Sequence, residues 1–261
     1  MPSQHLHFAN QTVSWLSPDV SERYTPILRN GQKNRFGPND ISYRFNELGF
    51  RCDSFDLPSE IPIVYLGCSN TQGIGLPIES TWAHLLTEKI RQHTNKQIPF
   101  WSLAQGGKGL DNQINLLYEF TSRQPVKYIF CFFPTSGRRD FCYDSEVVHT
   151  WIPNPIVHKN PFIDVVGKLF TDPFFISHEE TKSIMLLDLI RKHMQAQVVI
   201  SAWGVQKALS AKNLMKTNPE FKCFPLVMPA LPDYARDNQH PGVEYHRQVA
   251  DQFWEVARHL F

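Results

Sequence analysis

Three residues suited to acyl transfer stand out in this sequence: Ser69, Asp237 and His240. A serine hydroxyl attacks a carbonyl when a base within hydrogen-bond reach takes its proton and a third group orients that base. Asp237 and His240 are three residues apart, so the carboxylate can hold one imidazole nitrogen while the other faces Ser69. The reaction also needs donors aimed at the oxygen that gains charge. The Ser69 backbone N–H, at a helix start, is one candidate. Gly107 or its neighbour Gly106 is another, because a backbone without Cβ approaches a ligand closely. A further turn over 134–140 carries Thr135, Arg138 and Arg139.

Each residue has a plainer reading alone. Serine is a preferred helix cap, aspartate a common turn residue, and His240 can be a surface histidine. Gly106-Gly107 can be a simple turn, and Arg138-Arg139 a solvated or salt-bridged pair. The spacing of Asp237 and His240 just before Pro241 and a final helix favours chemistry. Cys68 is a second candidate nucleophile, since thiol–histidine pairs exist, but its side chain is expected to point away from a site that Ser69 faces. No cofactor or metal is expected: His178-Glu179-Glu180 lacks the second histidine of H-E-x-x-H, and His5 and His7 fall in an irregular tail. No phosphate-cradling glycine motif follows a strand. The G-x-S-x-G elbow is also absent, Thr71 standing at its second glycine.

The elements that must position these residues follow an α/β rhythm. Ile63-Val64-Tyr65-Leu66 reads as a buried strand, stopped at Gly67 by the polar turn that carries Ser69. A helix is expected from Trp82 to Ile90, a short strand over Pro99–Leu103, and a helix over Leu110–Arg123. Val126–Phe133 reads as a strong strand and Ser177–Gln195 as a helix. Gln197–Ala202 and Phe224–Met228 read as strands, and Pro241–Leu260 as the last helix. This alternation predicts a parallel sheet covered on both faces. At that sheet's carboxyl end, open α/β folds bind ligands.

Residues 1–58 are polar and poorly periodic, but Tyr43, Phe45, Leu48, Phe50 and Phe55 predict an extension that packs on the main domain, residues 59–261. A stretch from about 141 to 176, with Pro153, Pro155, Pro161 and Pro173 among many aromatics, interrupts the rhythm. It reads as a functional insertion or a packing arm. The net charge of +1 gives no reason to expect nucleic acid or an acidic membrane surface. No run approaches the ~20 apolar residues needed to span a bilayer. Five cysteines without close pairing fit a reducing compartment, and the amino terminus shows no signal-peptide pattern. The expectation is a soluble cytoplasmic protein, or one made inside a host cell.

Gly67-Cys68-Ser69-Asn70-Thr71 resembles the first block of the SGNH/GDSL hydrolases. Asp237-Asn238-Gln239-His240-Pro241 closely resembles their last block, and Ser102–Asp111 their second. Tyr43–Arg51 is similar to the preamble of some members. The likeness covers roughly residues 43–260. It implies a flavodoxin-like three-layer α/β/α fold and hydrolysis of esters or acetyl groups through an acyl-serine. By position, Ser69 is then the nucleophile, His240 the general base and acid, and Asp237 its orienter. The oxyanion donors are Ser69 N–H and Gly107, with Gly106 the alternative. Two departures stand out. Cys68 replaces the family's aspartate, and the third block lacks the asparagine that would offer an amide, leaving Thr135, Arg138 or Arg139 to replace it. The expected function is a serine esterase or acetylhydrolase acting on a small-molecule or glycan ester. The alternative is a weak or inactive binding module on the same fold.

Overall fold

The structure, a computed structural model, describes residues 6–133, 138–143, 146–151, 173–202, 220–226 and 233–261. The strands are β1 (Thr12–Val13), β2 (Tyr43–Arg44), β3 (Ile63–Gly67), β4 (Trp101–Ser102), β5 (Tyr128–Phe133), β6 (Arg138–Tyr143), β7 (Glu146–Trp151), β8 (Gln197–Ala202) and β9 (Lys222–Cys223). The helices are α1 (Ser69–Gln72), α2 (Trp82–Thr94), α3 (Leu110–Thr121), α4 (Pro173–Met194) and α5 (Val243–Ala257).

Five strands form one sheet in the order β4-β3-β5-β8-β9, with every pairing parallel. Counted along the chain, this is the 2-1-3-4-5 order of doubly wound folds, whose switch point lies between the first and third strands. Those strands are β3 and β5, so the loops leaving them flank the crevice. Side chains alternate between the two faces as a pleated strand requires. Val64 and Leu66 of β3, with Ile129, Cys131 and Phe133 of β5, pack among Ile114 and Leu117 of α3 and Leu187 and Ile190 of α4. Ile63 and Tyr65, with Phe130 and Phe132, pack among Trp82 and Leu86 of α2 and Val249 and Phe253 of α5. The result is three layers, α/β/α.

Helix ends follow local chemistry. The Thr81 side chain caps α2 by accepting from His84 N–H, and Asn95 closes it in the left-handed region at φ 55°. Asp233 caps α5, accepting from Glu244 N–H at 3.0 Å and Tyr245 N–H at 3.3 Å. The α5 helix begins at Val243, two residues beyond the proline expected to start it.

Two further sequence expectations differ from the structure. The last strand is Lys222–Cys223, pairing with Val199 and Ile200, so Phe224–Leu226 lie past it; 227 and 228 are outside the described residues. The region read as a break contains an antiparallel hairpin, β6 with β7; the rest of the 141–176 stretch lies largely outside the described residues. The helix after Ser69 is a single turn. Among the described residues, no helix is long and apolar enough to cross a membrane.

Candidate active site

The serine is placed by its strand and one glycine. β3 brings Gly67 and Cys68 to the carboxyl edge of the sheet, and Ser69 opens α1. A Cβ on Gly67 would collide with the Thr71 side chain, so glycine here lets α1 close directly onto the strand end. Behind the serine, Thr71 Oγ1 accepts from Trp82 Nε1 at 3.2 Å, and Trp82 N–H donates to His246 Nδ1 at 3.0 Å. These bonds tie α1, α2 and α5 together. Burial, with His240 close by, pulls the His246 pKa down to about 3, which keeps that ring neutral. Ser69 is 7% exposed. Among the described residues its backbone N–H has no partner, as the first N–H groups of a helix have none within it.

A second turn lies against the first. Leu103 N–H donates to Tyr65 O at 2.9 Å and Gln105 N–H to Gly67 O at 3.2 Å, extending β4 alongside β3. Gly106 N–H donates to Gln72 Oε1 at 2.8 Å. A Cβ built on Gly106 would stand 3.9 Å from Ser69 Cβ, so this turn faces the serine. Gly107 has φ +78°, where glycine alone is relaxed, and open space surrounds it. Its N–H has no partner among the described residues. Of the two adjacent glycines, Gly107 therefore has the free donor.

The Asp237–His240 pair forms within one short loop. Asp237 Oδ1 accepts from Gln239 N–H at 3.1 Å and His240 N–H at 3.0 Å, and Oδ2 meets His240 Nδ1 at 2.5 Å. Burial alone would raise the Asp237 pKa. The imidazole hydrogen bond, the histidine's charge and the two backbone donors outweigh it, so the carboxyl lies below its ordinary range and is ionised. A carboxylate at Nδ1 fixes the proton there and leaves Nε2 as the accepting nitrogen. The Asp237 side chain is sealed from solvent, whereas that of His240 is 15% exposed.

What carries this loop to the serine comes largely from residues between 14 and 51. Arg236 N–H donates to Gly75 O at 2.9 Å, joining the dyad loop to the loop that leaves α1. Gly75, at φ +76°, packs so closely that a Cβ there would be 2.8 Å from Ala235 Cβ. The buried Arg236 guanidinium binds Asp19 at 2.6 Å, donates to Ser14 O at 2.6 Å and Pro38 O at 2.8 Å, and lies 3.9 Å over the Trp15 ring. Tyr43 Oη donates to Asp19 Oδ2 at 2.5 Å and accepts from Gly75 N–H at 2.8 Å. Asn34 Nδ2 donates to Arg236 O at 3.0 Å, and Arg29 N–H to Asn238 Oδ1 at 2.8 Å. Arg51 binds the α1 exit from the other side, donating to Gln72 O at 3.0 Å, Gly73 O at 2.6 Å and Leu76 O at 2.7 Å.

Among the described residues, no hydrogen bond joins Ser69 to His240. The Ser69 hydroxyl instead meets Cys68 Sγ at 3.9 Å, a sulfur contact at the weak limit. Cys68 is therefore beside the serine hydroxyl and does not point away as the sequence suggests. Serine–histidine bonds in unliganded sites are often long and tighten with substrate. Thr135 lies outside the described residues; Arg138 and Arg139 fall on β6, with side chains outside what is described. Among the described residues, no cluster of three metal-ligating side chains forms. Sequence reading missed Asp19, Arg51, Gln72 and Arg236. Their partners are backbone groups or residues far away in the chain, and no motif marks such contacts.

No protein-family model and no curated protein matches the sequence. Solved structures do match it. The chain is similar to TesA, with 11% identity over 77% of this chain and 99% of that one, at a TM-score of 0.50. It is also similar to CEX, a two-domain esterase active on acetylated mannans and co-crystallised with mannopentaose. There the identity is 12%, over 77% of this chain and 49% of that one, at a TM-score of 0.50. At such identities the likeness is one of fold, and together with the 2-1-3-4-5 sheet it gives this chain the SGNH/GDSL hydrolase fold.

Proposed function

We propose that this protein is a serine hydrolase that cleaves an ester or O-acetyl group through an acyl-serine intermediate. The observation that carries the reading is the 2.5 Å bond from His240 Nδ1 to the buried, ionised Asp237, in a loop hydrogen-bonded to the one leaving Ser69. In this reading Ser69 Oγ attacks the carbonyl carbon while its proton passes to His240 Nε2. Asp237 holds the imidazolium that results. The carbonyl π pair moves onto oxygen, where the Ser69 and Gly107 N–H groups receive the charge. Collapse re-forms the carbonyl and expels the alcohol, which takes the proton from His240. Water then repeats the sequence and frees the acid. A carbohydrate ester is the favoured substrate class, supported by the fold shared with an esterase active on acetylated mannans.

The test is hydrolysis of a short-chain aryl ester together with covalent labelling by a fluorophosphonate. Both are expected in the wild-type chain and neither in Ser69→Ala. Absence of both from folded wild-type protein, or labelling that survives Ser69→Ala, rejects the reading. One observation favours a second reading, a binding module on the same fold: the Ser69 hydroxyl meets Cys68 Sγ and not His240. Glycan binding that persists in Ser69→Ala, with no turnover in the wild type, would select it.

A further inference from the structure

The Gln72 amide is only half used. Its Oε1 accepts the Gly106 N–H at 2.8 Å, while its Nε2 donates to nothing among the described residues. A backbone N–H needs an acceptor, so this bond itself fixes which end of the amide is oxygen. The two N–H donors therefore sit on the other branch of the same carbon. Gln72 is three residues after Ser69, on the same face of the helical turn. A Cβ on Gly106 would stand 3.1 Å from Gln72 Oε1 and 3.9 Å from Ser69 Cβ, so the amide, the glycine turn and the serine converge on one place. The N–H groups of Ser69 and Gly107, without partners among the described residues, belong to the same two turns.

We propose that Gln72 Nε2 donates a hydrogen bond to the carbonyl oxygen as Ser69 attacks, acting as a third oxyanion donor beside Ser69 N–H and Gly107 N–H. The proposal rests on the serine-hydrolase reading above. No proton is transferred in the step: the oxygen gains the carbonyl π pair, the amide N–H shortens its bond to it, and collapse returns the pair to the carbonyl. The Gly106 bond pre-orients the amide, so no rotamer has to be found during the reaction. Gln72 does not titrate, so its effect on rate is independent of pH.

The deciding comparison is Gln72→Glu against Gln72→Met in the full chain, assayed on an aryl ester. Glutamate keeps an acceptor for Gly106 N–H and removes the donor; methionine, of similar shape, removes both. Loss of one oxyanion donor lowers kcat by about 10²–10³-fold, with KM changed by less than about threefold, and both variants are expected to show it. The labelling rate should fall in parallel, with the pH profile unshifted. A glutamate variant at the wild-type rate makes Gln72 a structural clamp and overturns the proposal. Loss in the glutamate variant alone assigns the effect to its new charge, and a gain of rate in either variant shows a blocking amide; both also overturn it. Should the methionine variant not fold, wild-type kcat in the glutamate variant still refutes the donor role. Wild-type protein with no turnover and no Ser69-dependent labelling rejects the serine reading first, and this proposal with it.

Discussion

Ser69 is placed by residues near it in the chain, whereas Asp237 and His240 are placed by residues some two hundred positions away. On the serine side, Gly67, Thr71 and the β3 strand lie within a few residues of Ser69, and the added contacts come from adjacent β4, the start of α2 and Arg51. On the histidine side, the Asp237–His240 bond is local, but the loop that presents it is held by Asp19, Asn34 and Arg29, at separations of 217, 202 and 209 residues. The serine half is held mainly by the α/β layer, with Arg51 bracing the exit from α1. The histidine half is held by residues between 14 and 43 laid against that layer. Chemistry and placement can therefore be broken separately.

Breaking the chemistry gives the largest effects. Ser69→Ala should remove aryl-ester turnover by about 10⁶-fold in kcat and leave the thermal midpoint within a few degrees of wild type. Asp237→Asn should cost about 10⁴-fold, because an amide favours the wrong imidazole tautomer. Its fluorophosphonate labelling should slow to match, without change in far-UV circular dichroism. Breaking the placement gives a different signature. Asp19→Ala leaves the Arg236 guanidinium buried and unpaired, and should destabilise the fold by roughly 3–5 kcal/mol in urea titration. Activity should fall at temperatures where most chains remain folded. Equal loss of activity and of folded fraction would erase the distinction between the two halves.

A milder probe is Tyr43→Phe. It removes the hydroxyl shared by Asp19 and Gly75 N–H and leaves a buried donor unsatisfied, at about 1–3 kcal/mol. The smallest expected effect is on pH dependence. His246 is buried with its pKa pulled down to about 3, so between that value and about 6.5 the unfolded chain binds a proton that the folded chain refuses. Stability should thus be full above about pH 6.5 and decline as the pH falls. Asp237, whose pKa is also lowered, adds a further loss at lower pH, as the carboxylate protonates. His246→Asn keeps an acceptor for Trp82 N–H and removes the titration. Its melting temperature should depend less on pH between 7 and 5 than that of the wild type.

The same division explains how much could be read from the residues alone. Short continuous apolar runs announced β3, β5 and β8, and the long amphipathic helices were visible because their spacing is set by the core. The Asp-x-x-His spacing was legible because that bond spans three residues. Gly67 was legible as a turn because the apolar run stops there, and no side chain fits over Thr71 at that point. Arg236 was not legible. Nothing near it in sequence shows that its guanidinium is fully buried against Asp19, the Trp15 ring and the Ser14 and Pro38 carbonyls. Gln72 was missed because its partner is a backbone N–H on another strand's loop. Lys222–Cys223 was misplaced by a few residues because a two-residue edge strand leaves almost no period to count.

The Asp19–Arg236 pair spans 217 residues, and that span sets an order of events during synthesis. Elongation delivers the first turn of the extension long before residue 236 leaves the ribosome. Closing so long a loop comes late in folding, since its entropy must be met before the contact rewards it. Until then Asp19 and Tyr43 have no guanidinium to receive them, and the loop leaving α1 lacks one of its two clamps. The nascent chain can complete β3, β5 and the serine turn while the histidine is still unmade. The proposed site is then completed in a single late step, when the last helix docks and Asp19 meets Arg236.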